Sequence, residues 1–347
     1  RDCLLSRGLG DVYKRQVLYK NYCKQIECGA NMNYIVLDLE WNQAIKQDHN
    51  SQLLFEIIEI GAVKLDDNFK KKGTYQKLIK PELFKKIHPI VTGITKLQDR
   101  DFTNEKNFKY VIKEFLRWCG DDYIFCTYGN QDLYELQCNM RYHNVEIPWK
   151  YPFKYIDIQK ILSVEYKEEI EQMSLEKAVN FLKINHKSVY HRALGDAMYT
   201  AEILCRLDKE NIRKYISIDH CCLPETERIA KDIDLGTNNE YITTIFPSKE
   251  ELLENTNLHI TRCPECMKKC RKKIRWFSDG SKYICVAKCE EHGLLEGIIN
   301  IKKLYNEEKY YGIRKVYLIN EEKYNHIVGR KEAIKEKRRQ KRKTQKQ

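Results

Sequence analysis

The segment YIVLDLEWN, residues 34–42, places two acids one residue apart inside an apolar run. In a β-strand the side chains alternate between the two faces, so Asp38 and Glu40 would point the same way. Two neighbouring carboxylates on a mostly buried strand repel each other and resist removal from water. The segment therefore indicates either a half-exposed strand with a solvated acidic face or a strand whose two acids bind a cation.

Composition limits the class of protein. A chain of 347 residues can form one sizeable core and a smaller module. Its fourteen cysteines occur in a Lys-rich sequence, and several stand at metal-ligand spacing, which favours a reducing cytoplasm over a secreted disulfide scaffold. No apolar run is long enough to cross a membrane, so we expect a cytoplasmic protein without a membrane partner.

The net charge of +12 is concentrated towards the C-terminal end. Residues 335–347 hold eight Lys or Arg against one Glu, and residues 263–289 hold eight against two acids. The rest of the chain is close to neutral. We expect residues 329–347 to be a disordered basic tail that either binds nucleic acid without sequence preference or only keeps the protein soluble.

The first residues are not typical of a folded protein. Residues 6–16, SRGLGDVYKRQ, resemble the in-frame translation of a transposase-based sequencing adapter. We therefore predict that residues 1–31 are adapter and upstream read-through and that translation starts at Met32, the first methionine. Mass spectrometry of the native N-terminus tests this prediction.

Hydrophobic periodicity predicts an α/β domain over residues 32–210. Three strand-like segments form an antiparallel meander, and a fourth short strand follows; they cover residues 34–42, 53–66, 75–81 and 123–129. Amphipathic helices are predicted over residues 107–119, 132–143, 174–184 and 192–207. Strands followed by alternating helices and strands indicate a mixed sheet flanked by helices. Beyond this domain, residues 211–256 have the composition of a linker with some local helix.

Three further residues stand where a strand-borne metal site needs them. Asp132 follows a strand at the start of a helix, and His191 precedes Asp196 by five residues near the start of another. Each is weak evidence alone, because an Asp at a helix start is usually a cap. Together with Asp38 and Glu40, their order resembles the DEDDh family of 3′–5′ exonucleases, which have a ribonuclease H-like fold.

The resemblance covers residues 32–208 and includes the intervening segments FEIIEIGAVKLD and HPIVTGITKLQD. Within the family, the chain most resembles the bacterial branch related to the KinA-pathway sporulation inhibitor. That branch is also related to eukaryotic histone-mRNA and RNA-interference exoribonucleases.

The resemblance implies a role for each of the five residues. Asp38, Glu40 and Asp196 would hold a first Mg²⁺ or Mn²⁺; Asp38 would also reach a second ion, to which Asp132 contributes through water. His191 would take the proton from the attacking water. These roles agree with physical chemistry, because hard divalent cations prefer carboxylate oxygens, and histidine is the side chain suited to proton transfer near neutral pH.

Leu39 and Trp41 are predicted to contact the substrate. Many family members carry a small residue after the Glu, where this chain has an indole. Trp41 is either a packed aromatic or a stacking wall for the terminal base. In a regular strand it would share a face with Leu39, opposite to the acids, so stacking requires the chain to turn after Glu40.

The cysteine segment resembles a zinc ribbon that holds one structural Zn²⁺. Two pairs at x2 spacing are separated by a segment that reads as a hairpin turning at Asp279-Gly280. The expected ligands are Cys263, Cys266, Cys289 and His292. Cys285 is an alternative to His292, because it lies only four residues before Cys289.

The same hairpin carries Trp276 and Phe277 among basic residues. Such a surface binds single-stranded nucleic acid if the aromatic rings are exposed. The alternative is that these rings pack the small core of the ribbon.

The sequence thus predicts a cytoplasmic, metal-dependent 3′–5′ exonuclease that acts on single-stranded nucleic acid, with RNA favoured, and releases nucleoside 5′-monophosphates. One alternative is a non-catalytic regulatory protein that binds a partner in a sporulation or signalling pathway. The other is a DNA proofreading or repair exonuclease. The sequence does not predict the oligomeric state.

Overall fold

The computed structural model describes residues 32–45, 53–166, 173–185, 190–304 and 307–344. The chain divides into two compact units. Among the described residues, the first comprises residues 32–45, 55–132, 156–166, 173–185 and 190–213, and the second comprises residues 53–54, 133–155, 214–304 and 307–344. The predicted adapter and read-through segment, residues 1–31, lies outside the described residues.

One of the two sheets is the predicted mixed sheet. Its strands are β1 (Asn33–Gln43), β2 (Phe55–Leu65), β3 (Lys71–Leu78), β4 (Tyr123–Thr127), β5 (Lys154–Asp157) and the short β6 (Ser217–Ile218). The first three form an antiparallel meander, β4 pairs parallel to β1, and the order is β3-β2-β1-β4-β5-β6. This arrangement, flanked by helices, confirms the ribonuclease H-like fold class. Strand β3 begins four residues earlier than its predicted start at residue 75.

Strand β1 is central in this sheet and explains the opening pattern. Ile35, Val36 and Leu37 are at most 1% exposed, as expected for a strand covered on both faces. The two acids follow at the end of this buried stretch, where the strand becomes half-buried. Asp38 and Glu40 therefore lie where β1 passes from the core towards solvent.

Between β3 and β6, the described residues contain seven α-helices and one 3₁₀ helix, Asp99–Phe102. The helices are α1 (Pro89–Thr95), α2 (Phe108–Cys119), α3 (Gln131–Tyr142), α4 (Ile158–Glu165), α5 (Leu175–Phe181), α6 (Ala193–Leu204) and α7 (Lys209–Lys214). Helix α2 shows how local sequence sets its limits: the Asn107 side chain accepts a hydrogen bond from the Tyr110 N–H, and Gly120 ends the helix at φ +85°.

Helix α6 packs directly on β1 and β2. The contact is made at Gly61, where an added Cβ would lie 2.0 Å from the carbonyl carbon of Ala193. Only glycine allows this approach of helix and strand backbones. Gly61 on β2 therefore lets the helix that carries Asp196 pack directly against the strand.

The second unit contains a second sheet. Its strands are β7 (Ile233–Asp234), β8 (Asn239–Ile242), β9 (Arg271–Asp279), β10 (Lys282–Cys289), β11 (Gly293–Lys303) and β12 (Tyr310–Ile319), in the order β7-β8-β12-β11-β10-β9. A short strand β6 (Ser217–Ile218) pairs with the start of β5, and the helices are α8 (Lys249–Glu254) and α9 (Glu321–Thr344). The predicted hairpin is present, because Asp279 pairs with Lys282 and Gly280 has φ +63°.

Two parts of the second unit differ from the sequence prediction. Residues 211–256 are not a plain linker: they contain β6, β7, β8 and α8, and Ile233, Tyr241 and Ile242 are buried. These strands are two to four residues long, which is too short to show alternation. Residues 329–344 are helical rather than disordered, because Lys, Arg and Glu are good helix formers and α9 buries Ile327 nearby.

No helix among the described residues has the length and hydropathy needed to cross a membrane. The predicted end of the exonuclease domain near residue 210 stays a prediction.

Candidate active site and cysteine cluster

The pairing of β1 with β2 sets the geometry of the acids. Asp38 lies opposite Gly61, and Glu40 lies opposite Glu59. The register then shifts between Glu40 and Trp41, so Trp41 lies opposite Ile57. The absence of a side chain at Gly61 leaves room for α6 beside Asp38, and the shift changes the path of the sheet after the second acid.

Three carboxylates meet at this point. Asp38, Glu40 and Asp196 each offer an oxygen, and these oxygens lie within 4.8 Å of one another. Oδ2 of Asp196 accepts the backbone N–H of His191 at 3.1 Å. Oδ1 of Asp196 is buried and has no hydrogen-bond partner in the described part of the chain. Such an oxygen, beside two other carboxylates, is one that a hard cation would satisfy.

The electrostatics of this cluster support a cation site. Burial raises the pKa of Asp38, and the charges of Asp132 and Asp196 raise it further. Burial, with the charges of Asp196 and Glu59, raises the pKa of Glu40 to about 8. Burial also raises the pKa of Asp196, against the lowering effect of the His191 N–H. A divalent cation would remove this repulsion, so the residues fit Mg²⁺ or Mn²⁺.

Asp132 lies next to the three carboxylates rather than among them. It stands in the first turn of α3 and is 7% exposed. Its Oδ1 accepts the backbone N–H of Leu39 at 3.1 Å, between the two acids of β1. Asp132 is therefore more than a surface residue at a helix start, and its charge reaches Asp38.

His191 precedes α6 in a special backbone conformation. Its φ is +59°, in the left-handed region that histidine adopts more readily than most residues. Its side chain is exposed, while its backbone N–H is held by Asp196. The structure thus ties His191 to the metal cluster through the main chain and leaves the imidazole accessible to a substrate or water.

The two predicted substrate contacts on β1 differ in accessibility. The side chain of Leu39 is 4% exposed, so what it offers to the site is its backbone N–H to Asp132. Trp41 is half-buried, with its ring 5.8 Å from that of Phe55. The register shift after Glu40 leaves the extra residue, Ile58, on β2, so it does not by itself turn β1 as stacking requires. A stacking role for Trp41 stays a proposal, and one for the Leu39 side chain is not supported.

Four ligand-type side chains meet in the second unit: Cys263, Cys266, Cys289 and His292. Their ligand atoms lie within 4.8 Å of one another. The Sγ atoms of Cys266 and Cys289 are 3.7 Å apart, and Cys289 Sγ is 3.6 Å from His292 Nδ1. Two sulfurs bound tetrahedrally to Zn²⁺ at about 2.3 Å lie about 3.8 Å apart, so this spacing fits zinc.

Local backbone structure brings the two pairs together. Met267 N–H donates to Cys263 O, and Cys263 N–H donates to Lys268 O, which forms the first turn. The second turn joins β10 to β11, where Cys289 pairs with Gly293 at φ +91°. The alternative ligand Cys285 lies outside the cluster, buried on β10 against Gly297.

The thiol of Cys289 differs electrostatically from its neighbours. Burial alone would raise its pKa, but hydrogen bonds from the backbone of Glu291 and from His292 lower it to about 6. A thiol that ionises readily is a good metal ligand.

The aromatic residues of the β9–β10 hairpin pack inside the second unit. Trp276 donates its indole N–H to the His259 carbonyl at 3.2 Å and packs with Leu252 and Leu258. Phe277 packs with Ile274 and the α9 residue Ile327 in another cluster. The structure therefore favours the packing alternative over a substrate-stacking role for Trp276 and Phe277, because a six-stranded sheet has a core that a small ribbon lacks.

Basic side chains surround this hairpin on the outside. Arg271, Lys273 and Arg275 are exposed on β9. Lys331 of α9 lies over the Phe277 ring at 5.8 Å, and Arg330 Nε contacts Asp279 Oδ2 at 2.6 Å. Helix α9 is thus joined to the hairpin, and both contribute positive charge.

Two charged residues beside the acids, Glu59 and Arg192, were not predicted from the sequence. Glu59 is 0% exposed on β2, and Arg192, at the N-cap position of α6, forms an ion pair with it. The signal was an acid inside the apolar run FEIIEIG, which is the same kind of signal that identified Asp38.

Comparison with known proteins supports a nuclease. Residues 35–204, just under half of the chain, match the family RNase_T, described as Exonuclease. All five predicted catalytic residues lie within the matched segment. No curated protein matches the sequence.

Several solved nuclease structures are similar to part of the chain. The nuclease domain of 3′hExo, described as a DEDDh family member bound to rAMP, is 20% identical over 55% of this chain and 98% of that chain, with TM-score 0.48. Cell-death related nuclease 4 (CRN-4) is 22% identical over 51% and 64%, with TM-score 0.44. Escherichia coli exonuclease I with a dA16 oligonucleotide is 15% identical over 50% and 40%, with TM-score 0.40.

Proposed function

We propose that the protein is a metal-dependent 3′–5′ exonuclease that hydrolyses single-stranded nucleic acid, RNA in preference, to nucleoside 5′-monophosphates. The observation that carries this proposal is the meeting of Asp38, Glu40 and Asp196 within 4.8 Å inside the exonuclease domain. The preference for RNA is supported by the resemblance to RNA-processing members of the DEDDh family.

The metal site is proposed from the carboxylates that the structure brings together. Asp38, Glu40 and Asp196 would hold a first Mg²⁺ or Mn²⁺, and Asp38 with Asp132 would hold a second. When bound, the two cations stabilise the negative charge that develops on the attacking and leaving oxygens of the phosphodiester. The protein contributes a fixed set of oxygens, because Asp132 and Asp196 are both hydrogen-bonded to backbone N–H groups of the first unit.

His191 is proposed as the general base. Its imidazole is exposed, while its backbone is fixed by Asp196 and by the left-handed conformation that precedes α6. Removal of a proton from the attacking water by a positioned histidine contributes about 10²–10⁴-fold to a rate. Trp41 is proposed to stack on the terminal base, since its ring is half-buried and it directly follows Glu40 in the chain.

The second unit is proposed to bind one structural Zn²⁺ and to hold longer substrates. The Cys3His cluster has the ligand types and spacing of a zinc site. The exposed basic residues of β9 and α9 would contact the phosphates of the substrate. These basic contacts would hold the length of the polyanion outside the cleavage site, because the carboxylate cluster repels phosphate in the absence of cations.

The test is digestion of single-stranded RNA and DNA of one sequence, each labelled at the 5′ end, with Mg²⁺ or Mn²⁺. We expect a ladder of labelled products that shortens from the 3′ end, faster for RNA. The matched control is Asp38→Asn, which keeps the shape of the side chain and should lose nearly all activity. Immediate release of a labelled mononucleotide would contradict the polarity, and equal activity in the control would contradict the metal site.

A further inference from the structure

Glu59 is a fully buried carboxylate that has no role in the proposed chemistry. It is 0% exposed and lies on β2 directly opposite Glu40. Like charges opposite each other on neighbouring strands are destabilising. A charge buried to this extent requires a partner, and the identity of the partner shows what the charge does.

That partner is Arg192. Its Nε donates to Glu59 Oε2 at 3.0 Å, and its Nη2 donates to Oε1 at 2.8 Å, which is a two-pronged ion pair. Gln76 Nε2 donates to Oε1 at 2.7 Å, and the Ala193 N–H donates to Oε2 at 3.4 Å. Glu59 therefore binds both the side chain of Arg192, the N-cap residue of α6, and the first backbone N–H of that helix.

The position of Arg192 in the chain gives this ion pair its importance. Arg192 directly follows His191, which is held in the left-handed conformation, and lies four residues before Asp196. Helix α6 touches β2 through the bare backbone at Gly61, a contact that fixes distance but offers no directional bond. The two-pronged ion pair with Glu59 is directional, so it fixes the orientation of the start of α6.

We propose that Glu59 is a positioning residue: acting through Arg192, it holds the start of α6 so that His191 and Asp196 face Asp38 and Glu40. Its effect on cleavage rests on the proposed nuclease function. Its effect on cation binding does not, because the three carboxylates have to converge on a cation whatever the reaction is.

Two variants of Arg192 separate positioning from simple electrostatics. Arg192→Lys keeps the positive charge but cannot form the two-pronged bond. Arg192→Gln removes a positive charge from beside three carboxylates, so electrostatics alone predicts tighter Mn²⁺ binding. Positioning predicts that both variants bind Mn²⁺ about 10–100-fold more weakly, as is usual when a group that orients a metal ligand is lost.

The measurement is Mn²⁺ titration of the full chain by electron paramagnetic resonance, with kcat and KM on a labelled single-stranded oligonucleotide. At saturating Mn²⁺ we expect kcat to stay below that of the unaltered protein, because His191 and Asp196 remain misplaced when the cation is bound. KM should change little, because the substrate-contacting side chains are intact. Glu59→Gln combined with Arg192→Gln should lose no more kcat than either single change, since the two residues act as a unit.

The matched control is Glu114→Gln, which removes one negative charge from the exposed pair with Lys77 in the same unit. It should leave both measurements unchanged. Thermal unfolding of each variant shows whether it is folded; if Glu59→Gln is not, Arg192→Lys decides the question.

The inference is overturned if Arg192→Lys binds Mn²⁺ and cleaves like the unaltered protein, or if Arg192→Gln binds Mn²⁺ more tightly. If the unaltered protein cleaves no substrate, the proposed function fails, while the Mn²⁺ titrations still test Glu59.

Discussion

The carboxylate of Asp132 accepts a hydrogen bond from the backbone N–H of Leu39, across 93 positions of the sequence. The bond lies between the two acids of β1 and joins the first turn of α3 to the central strand of the sheet. Asp132 therefore has both a structural bond and a charge that the proposed metal site uses, and substitution can separate them.

Asp132→Asn keeps an oxygen that can accept the Leu39 N–H but removes the charge, whereas Asp132→Ala removes both. We expect both variants to lose nearly all cleavage. Only the alanine variant should be destabilised, by about 1–3 kcal/mol, the cost of an unsatisfied buried donor. Urea unfolding and the oligonucleotide assay are the measurements. Full activity in the asparagine variant would show that the charge is dispensable.

The raised pKa of Glu40 predicts how the stability of the metal-free protein depends on pH. The folded protein holds the Glu40 proton up to a pKa of about 8, whereas the unfolded chain releases it near 4.5. The folded form is therefore favoured at low pH, and its stability decreases as the pH rises from about 4.5 to 8. Asp38 and Asp196 shift in the same direction.

Glu40→Gln should remove part of this dependence. In a chelator, we expect the melting temperature of the variant to exceed that of the unaltered protein at pH 8 and to match it near pH 4.5. A difference of 1 kcal/mol corresponds to roughly 2–4 °C for a unit of this size. Saturating Mg²⁺ should stabilise the unaltered protein at pH 8. Parallel melting curves across the pH range would contradict the cluster electrostatics.

The acids were predictable from the sequence because a polar pair inside an apolar strand is a local signal. The first three strands and helix α2 were predictable for the same reason, since each is long enough to show its period. The second sheet was not, because β7 and β8 span two and four residues and acquire their burial only from long-range pairing. The sequence pointed to the three carboxylates that the structure brings together, Asp38, Glu40 and Asp196, but not to the Glu59–Arg192 pair, which depends on a contact across 133 positions.

The cysteine cluster predicts one bound zinc. The full chain should contain about one zinc per molecule by atomic emission, and Cys266→Ala should lose it together with thermal stability. Cys285→Ala is the matched control, because Cys285 is buried nearby on β10 but lies outside the cluster. Loss of zinc in the control and not in Cys266→Ala would reverse the ligand assignment.

The basic surface of α9 predicts a salt-dependent contact with long substrates. Replacing Lys335, Lys337, Arg338 and Arg339 with Gln should raise KM on long single strands and leave turnover on short oligonucleotides unchanged. If all four residues contact phosphates, the slope of log affinity against log salt should fall by roughly 3. Gln at Glu332 and Glu336 on the same helix should move KM in the opposite direction. Equal salt slopes in all variants would exclude α9 from binding.

We predict that the half-buried ring of Trp41 contacts the terminal base of the substrate. Base stacking on an aromatic ring contributes about 1–3 kcal/mol, so Trp41→Ala should raise KM roughly 5- to 150-fold. Trp41→Phe should retain part of the affinity, because phenylalanine also has a flat face. Mn²⁺ binding should be unchanged in both, since Trp41 is not a ligand. Identical KM values for both variants and the unaltered protein would leave Trp41 as a packing residue against Phe55.

The contact of Gly61 with Ala193 has a consequence for the protein during its own synthesis. The acids of β1 leave the ribosome early, but Asp196 follows Asp38 by more than 150 positions, and its helix must first settle against the strand at Gly61. Until then the nascent chain has half of a cation site and no positioned histidine. With the function proposed above, the protein would become able to cleave the messenger RNA from which it is translated only when its catalytic domain is nearly complete.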